Sequence, residues 1–317
     1  MTPLVGAVDI GASKTLVTVA ALPIADWPLH RQVVRFATPR DAAECVGRVC
    51  RAVTGLAGDA TGRLVAVGCG MPGPLDRERG VVIHSPNQGW RDVPIGPWLA
   101  ERLGIPVVID DDARTGAIGE AVLGAGAGSD PVAYLTIGSG IGSGVVLGGR
   151  LLHGAHDLAG EVGHLVADRQ GPRCSCGNRG CVEAYASGRG LERRARLTWG
   201  DATTAGGRRT PRSAADVFRA ALLGDPDARR LADEAAQALA LALASLAATV
   251  DPEVIVVGGS VGLAQRRLVR RAATLARGRC MWESAEHLRV MSAGLGAESV
   301  VAGAAVLAGY LIAPGSP

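Results

Sequence analysis

The stretch Leu4-Val-Gly-Ala-Val-Asp9-Ile-Gly11-Ala-Ser13-Lys14-Thr15-Leu16-Val-Thr-Val-Ala-Ala21 reads as an apolar strand, a short polar turn and an apolar return strand. Residues 132–147 repeat it as Val132-Ala-Tyr-Leu-Thr136-Ile-Gly138-Ser-Gly140-Ile-Gly142-Ser-Gly144-Val-Val-Leu147. Each is a β-hairpin with a tip of glycines and hydroxyls. Two copies of one supersecondary plan predict an α/β protein with two similar lobes around a central cleft. The rest of the pattern agrees. Residues 42–58 have helical spacing, 65–70 read as a strand, 71–74 as a loop and 81–83 as a short strand before Ser85-Pro-Asn87-Gln-Gly-Trp90. A strand at 105–109 runs into Asp110-Asp111-Asp112, and 113–123 are helical. Acids between a strand end and a helix N-terminus are a usual place for chemistry. Further on come an arginine-rich helix from Gly190, a flexible 200–212, and a long helix ending at Val250. A strand at 254–257 then closes on Gly258-Gly259, and a last helix starts near Glu298.

The two tips exclude the commonest nucleotide motifs. Gly138-Ser-Gly140-Ile-Gly142 is followed by an apolar strand, whereas a dinucleotide fingerprint needs a helix there. Gly6 and Gly11 have P-loop separation, but Ala12 stands where that motif has lysine. What remains are two backbone-rich tips, at 9–15 and 136–144, suited to holding a polyphosphate from both sides.

A second signal lies in His164-Leu-Val-Ala-Asp-Arg-Gln-Gly-Pro-Arg-Cys174-Ser-Cys176-Gly-Asn-Arg-Gly-Cys181-Val-Glu183. One imidazole and three thiols spaced by glycines predict a Cys3His tetrahedral zinc site built from His164, Cys174, Cys176 and Cys181. Four protein ligands make such a site structural, not catalytic. Glu161 and Glu183 flank it, and zinc needs neither. Two carboxylates beside a rigid loop suit a polyhydroxylated ligand, because they accept hydrogen bonds from hydroxyls.

The chain has 317 residues, 48% hydrophobic and only 3% aromatic, with 45 glycines, so its elements must pack through small side chains. The net charge of +3 is spread along the chain, and Lys14 is the only lysine among 33 basic residues. That argues against a nucleic-acid role. No signal peptide is visible, and the apolar run 235–250 is too short and alanine-rich to span a bilayer. A cytoplasmic protein that touches no membrane is expected. Cys45, Cys50, Cys69 and Cys280 read as small buried residues.

Taken together, Asp9-Ile-Gly11-Ala-Ser13-Lys14, Asp111-Asp112-Ala113, Thr136-Ile-Gly138-Ser-Gly140-Ile-Gly142, Glu161-Val-Gly-His164, the cysteine loop through Glu183 and Val257-Gly258-Gly259 resemble the ROK family of bacterial sugar kinases and repressors. The resemblance implies the actin-like ATPase fold of hexokinase type. It implies a small lobe of residues 1–114 and 298–317 and a large lobe of 115–297. ATP, Mg2+ and structural zinc are the implied cofactors, and a homodimer or homotetramer the implied assembly. Asp9 then sits near magnesium, with Gly11, Ser13 and Lys14 in the first phosphate loop. Thr136, Gly138 and Gly140 form the second, and Gly258 and Gly259 the adenosine-side loop. Asp112 is the catalytic base, while Asp111, Glu161, His164, Glu183 and more weakly Asn87 contact the sugar. The repressors' DNA-binding segment would precede the first phosphate loop, which here begins at residue 9 and leaves no room for it.

One departure matters. The family reads Asn-Asp-Ala at the catalytic turn, with the asparagine near the sugar 3-hydroxyl, and this chain has Asp111 there, followed by Arg114. A carboxylate accepts but cannot donate, and beside an acidic neighbour it calls for a cation. The expected substrate is therefore an amino sugar with nitrogen at C3, of the kanosamine type. Glucose with Arg114 neutralising Asp111 is the next reading, followed by a cyclitol and by a sugar sensor without turnover. Ala12 for the family's usual glycine is a milder change.

Overall fold

The structure is a computed structural model that describes residues 2–24, 27, 32–85, 87–200 and 213–312. It divides into two compact units. Unit 1 is residues 1–130, 144–159 and 297–317, and unit 2 is 131–143 and 160–296. The expected flexible segment falls, beyond Gly200, outside the described residues.

Unit 1 opens with the expected hairpin, β1 (Leu4–Ile10) and β2 (Lys14–Ala21), then β3 (Val34–Ala37), helix α1 (Ala42–Ala57) and β4 (Leu64–Met71). A small sheet of β5 (Leu75–Asp76), β6 (Val81–Ser85) and β7 (Trp90–Val93) follows, then α2 (Ile95–Leu103), β8 (Val107–Asp111) and α3 (Asp112–Leu123). Next come β9 (Val132–Ile137), β10 (Ile141–Leu147) and β11 (Arg150–Leu151), then α4 (Val182–Ala186), α5 (Gly188–Trp199), α6 (Ala214–Leu222) and α7 (Pro226–Val250). The chain ends with β12 (Val254–Gly258), α8 (Ser260–Ala264), α9 (Arg266–Arg277), α10 (Trp282–His287), β13 (Val290–Ser292) and α11 (Ser299–Ile312).

The repeat read from the hairpins extends to whole sheets. The first runs β3-β2-β1-β4-β8 and the second β11-β10-β9-β12-β13, in the same order. In the first, β1 and β2 pair antiparallel while β1, β4 and β8 run parallel. In the second, β10 pairs β11 antiparallel while β9, β12 and β13 run parallel. The unit boundary cuts β10 between Ser143 and Gly144.

Small residues set the packing of unit 1. One face of the sheet buries Val8, Ile10, Val67 and Cys69 with Val46, Val49 and Val53 of α1. The other buries Val5, Ala7 and Ala66 against Val301, Ala304, Ala305 and Ala308 of α11. Helix α11 lies so close that a Cβ on Gly68 would overlap the Ala304 carbonyl, and one on Gly303 the Thr115 carbonyl of α3. That contact keeps α3 whole within unit 1, so this unit runs on past the boundary expected at residue 114. In unit 2, α7 is longer than the apolar run predicts and would suffice in length and composition to cross a membrane. Most of its alanines and leucines from Ala228 to Ala247, such as Leu231, Leu239, Leu243 and Leu246, are instead buried within the protein.

Candidate active site

In unit 1 the parallel register draws the acids together. Asp9 on β1 is level with Gly70 on β4, Gly70 with Asp110 on β8, and Met71 with Asp111. Two strand spacings of about 4.8 Å put Asp9 and Asp110 roughly 10 Å apart, at the carboxyl ends where open α/β sheets bind ligands.

The first tip is tied down around Gly11. Its N–H donates to the Lys14 carbonyl at 3.0 Å, and a Cβ here would lie 2.9 Å from that same oxygen. The Gly11 carbonyl accepts from Thr38 Oγ1 at 2.8 Å and from Gln88 Nε2 at 3.2 Å. Ser13 accepts the Thr38 N–H through its carbonyl, so the tip is held from β3 and from the turn that carries Asn87. Burial pushes the Asp9 carboxyl up to about 7, against the pull of the Lys14 charge.

Asp111 and Asp112 open α3. Asp111 is its N-cap, with Oδ1 accepting from the Ala113 and Arg114 amides at 3.0 and 3.3 Å, and Asp112 is the first helical residue. Both carboxylates sit where the helix end favours negative charge. Strand β8 extends two residues beyond the expected 109, so Asp110 and Asp111 end the strand and Asp112 begins the helix.

Asp110, to which the sequence assigned no role, is the most enclosed of the three acids, 1% exposed. Its Oδ1 accepts from the Asp111 amide at 2.7 Å and from Arg114 Nε at 2.8 Å, and its Oδ2 faces His153 Nε2 at 2.7 Å. Burial raises the Asp110 pKa, but the His153 hydrogen bond and the Arg114 charge outweigh it and hold the carboxyl below its ordinary value. The close ion pair of Arg114 is thus with Asp110, and its charge reaches Asp111 as well. A run of three acids four residues from an arginine was the available signal, since i and i+4 share a helix face.

In unit 2 the second tip, the adenosine-side loop and the cysteine loop are linked. Thr136 on β9 is level with Gly258 on β12. Gly259 has φ +78, and a Cβ there would overlap the Ile137 backbone, so glycine is required. Gly138 closes the tip by donating to the Gly140 carbonyl at 2.9 Å, and its own carbonyl accepts from Gly188 N of α5 at 2.8 Å. Glu183 on α4 bridges tip and loop: Oε2 accepts from the Ile141 amide at 3.0 Å and Oε1 from Ser175 Oγ at 3.1 Å.

The four expected zinc ligands converge, their ligand atoms all within 4.8 Å of one another. Cys176 Sγ and Cys181 Sγ are 3.7 Å apart, as are Cys174 Sγ and His164 Nδ1. Tetrahedral zinc with Zn–S near 2.3 Å requires ligand-to-ligand edges of about 3.5–3.8 Å, so the donor set fits the metal. His164 Nε2 faces Glu161 Oε2 at 3.9 Å on its other side.

Of the expected residues, Asp9, Gly11, Ser13, Lys14, Asn87, Asp111 and Asp112 lie in unit 1 and the remainder in unit 2. The sequence pattern of the ROK family matches residues 5–310. This chain is a member of the ROK family. The glucokinase of Halalkalibacterium halodurans is 37% identical over 221 residues, which span 65% of this chain and 64% of that protein. The chain thus spans just under two thirds of that relative's length. The N-acetylmannosamine kinase of Citrobacter koseri is 38% identical over 232 residues, 72% of this chain and 76% of that protein. Among solved structures, a ROK family glucokinase from Streptomyces griseus in complex with glucose and AMPPNP superposes with a TM-score of 0.76 at 34% identity. That match covers 96% of this chain and 99% of the other. The paired sheets of this ROK protein are those of the actin-like ATPase fold of hexokinase type.

Proposed function

We propose that this ROK protein is an ATP-dependent sugar kinase that phosphorylates the 6-hydroxyl of a hexose, with a 3-amino sugar of the kanosamine type preferred to glucose. The observation that carries the kinase reading is Asp112 at the first position of α3, one residue beyond a strand whose end is level with Asp9.

Phosphoryl transfer needs a positioned hydroxyl and compensation of phosphate charge more than covalent chemistry from the protein. Asp112, at a helix end that favours negative charge, takes the proton of the sugar's primary hydroxyl as that oxygen bonds to the γ-phosphorus and the bond from phosphorus to the ADP oxygen breaks. Lys14 and the amides of the two tips, with Gly11, Ser13, Thr136, Gly138 and Gly140, hold the phosphates, and Gly258 and Gly259 the adenosine. Magnesium, when bound near Asp9, neutralises phosphate charge. Glu161, His164, Glu183, Asp111 and Asn87 take the sugar hydroxyls. Zinc held by His164, Cys174, Cys176 and Cys181 fixes the loop that carries His164 and leads into Glu183.

The substrate preference rests on Asp111. Arg114 makes its close contacts with Asp110 and with the Asp157 carbonyl at 2.8 Å, while its charge also reaches Asp111, and a substrate ammonium is the further cation we assign to that carboxylate. A cytoplasmic homodimer or homotetramer is the assembly we assign.

The test is ADP release on a panel of kanosamine, glucose, N-acetylmannosamine and cyclitols. Turnover with the highest kcat/KM for kanosamine supports the proposal. A glucose or cyclitol optimum removes the amino-sugar preference, and binding without turnover on any acceptor favours a sugar sensor.

A further inference from the structure

Asp110 is buried at the end of β8 and accepts three hydrogen bonds. Two come from its own neighbourhood: the Asp111 amide and Arg114 Nε, in the first turn of α3. The third comes from His153, 43 residues on, in the segment after β11. An ionised carboxylate only accepts, so the His153 hydrogen must sit on Nε2, and Asp110 fixes that tautomer. The segment around His153 is itself anchored in unit 1. Arg114 donates to the Asp157 carbonyl at 2.8 Å, Arg77 Nε lies 3.5 Å from Asp157 Oδ1, and Asp157 adopts φ +55. His153 is thus a fixed post from outside the helix, set against the carboxylate that aligns the Asp111 amide.

We infer that His153 is a positioning residue for phosphoryl transfer: through Asp110 it holds the peptide that leads into Asp112. The inference rests on the kinase reading above. Without His153, Asp110 Oδ2 loses its partner in a site 1% exposed, where an unsatisfied charged oxygen is costly. The carboxylate then turns to recover a partner and releases the Asp111 amide. Asp112, one residue further, loses its alignment. The fold survives, because the Arg114–Asp110 ion pair remains to compensate the buried charge.

The tautomer specifies the control. A glutamine at 153 offers an amide N–H at about the reach of Nε2, whereas alanine offers none. We expect His153→Ala to lower kcat about tenfold or more, since small misplacements of a reacting group cost up to about a hundredfold. We expect the KM for ATP to stay within about twofold, because the phosphate loops are untouched. His153→Gln should recover most of the lost kcat, with its Tm close to wild type, while His153→Ala should stay folded with a Tm lower by about a few degrees. A His153→Ala enzyme with unchanged kcat overturns the inference. So does a His153→Gln enzyme as slow as His153→Ala, or a loss confined to Tm. A wild type without turnover on any acceptor removes the kinase reading and this inference together, whereas an active wild type with an unaffected His153→Ala removes this one alone.

Discussion

Arg114 donates Nε to Asp110 Oδ1 at 2.8 Å, both side chains enclosed, one residue short of Asp111, where the sequence departs from the family pattern. Asp111 instead caps α3, and the amides of the first turn offset part of its charge.

Exchanging Asp111 for asparagine separates its two tasks. Asparagine caps helices as well as aspartate does, so Asp111→Asn should change stability by no more than about 0.5 kcal/mol. It removes the charge that would pair with an ammonium, a charged hydrogen bond worth about 1.5–3 kcal/mol. The ratio of kcat/KM for kanosamine over glucose should fall about tenfold or more. A ratio that does not move would show that Asp111 takes no part in choosing the acceptor.

The metal site makes a prediction of its own. Purified protein should carry one zinc per chain, and Cys176→Ser or strong chelation should lower Tm and raise the sugar KM more than the ATP KM. His164 explains the second effect, since Nδ1 faces the cysteines and Nε2 faces Glu161. Elemental analysis with calorimetry checks it, and a metal-free protein of unchanged Tm and sugar KM would contradict it.

Asp9 sets a pH dependence. Its folded pKa of about 7 lies above that of a free carboxylate, so the folded chain holds a proton that the unfolded chain releases near pH 4. The associated stability is complete at low pH and is lost as pH rises from about 4 through 7. In metal-free and nucleotide-free protein, Asp9→Asn should gain on wild type by a few degrees of Tm between pH 5 and pH 8. A difference independent of pH would mean that Asp9 is ionised throughout.

Arg194 in α5 is a buried cation with incomplete partners. It pairs with Glu234 and stacks on Tyr185 with its guanidinium 4.8 Å from the ring centroid, yet its Nη1 has no hydrogen-bond partner. Burial lowers its pKa to about 10. Removing one partner of an ion pair is costly when it strands a buried charge, but the Glu234 side chain left behind is 36% exposed. Glu234 also keeps Arg230 at 3.2 Å. Arg194→Met should therefore cost less than about 1 kcal/mol in chemical denaturation. A loss of several kcal/mol would show that the stacked pair is a main support of unit 2.

Local signals carried far in this chain. Period-two apolar runs and glycine tips gave both hairpins, and glycine-spaced cysteines gave the metal loop, because each rests on residues close in sequence. The pairing of β4, β8, β12 and β13 was not legible, since parallel register is set across long connections. For the same reason the sequence showed a histidine at 153 and an aspartate at 110 but nothing to join them. Arg114 was read against Asp111, three residues away, and its charge does reach that group, but the turn from strand to helix places Asp110 in the close ion pair, which proximity along the chain did not show.

The central claim is that one carboxylate, Asp112, deprotonates the acceptor hydroxyl. The direct measurement is single-turnover phosphoryl transfer from ATP to kanosamine and to glucose by wild type and Asp112→Asn at equal zinc content and equal Tm. Removing a general base should slow the chemical step by about a hundredfold or more while sugar binding stays within a few-fold. An Asp112→Asn enzyme that transfers the phosphoryl group at the wild-type rate would contradict the account.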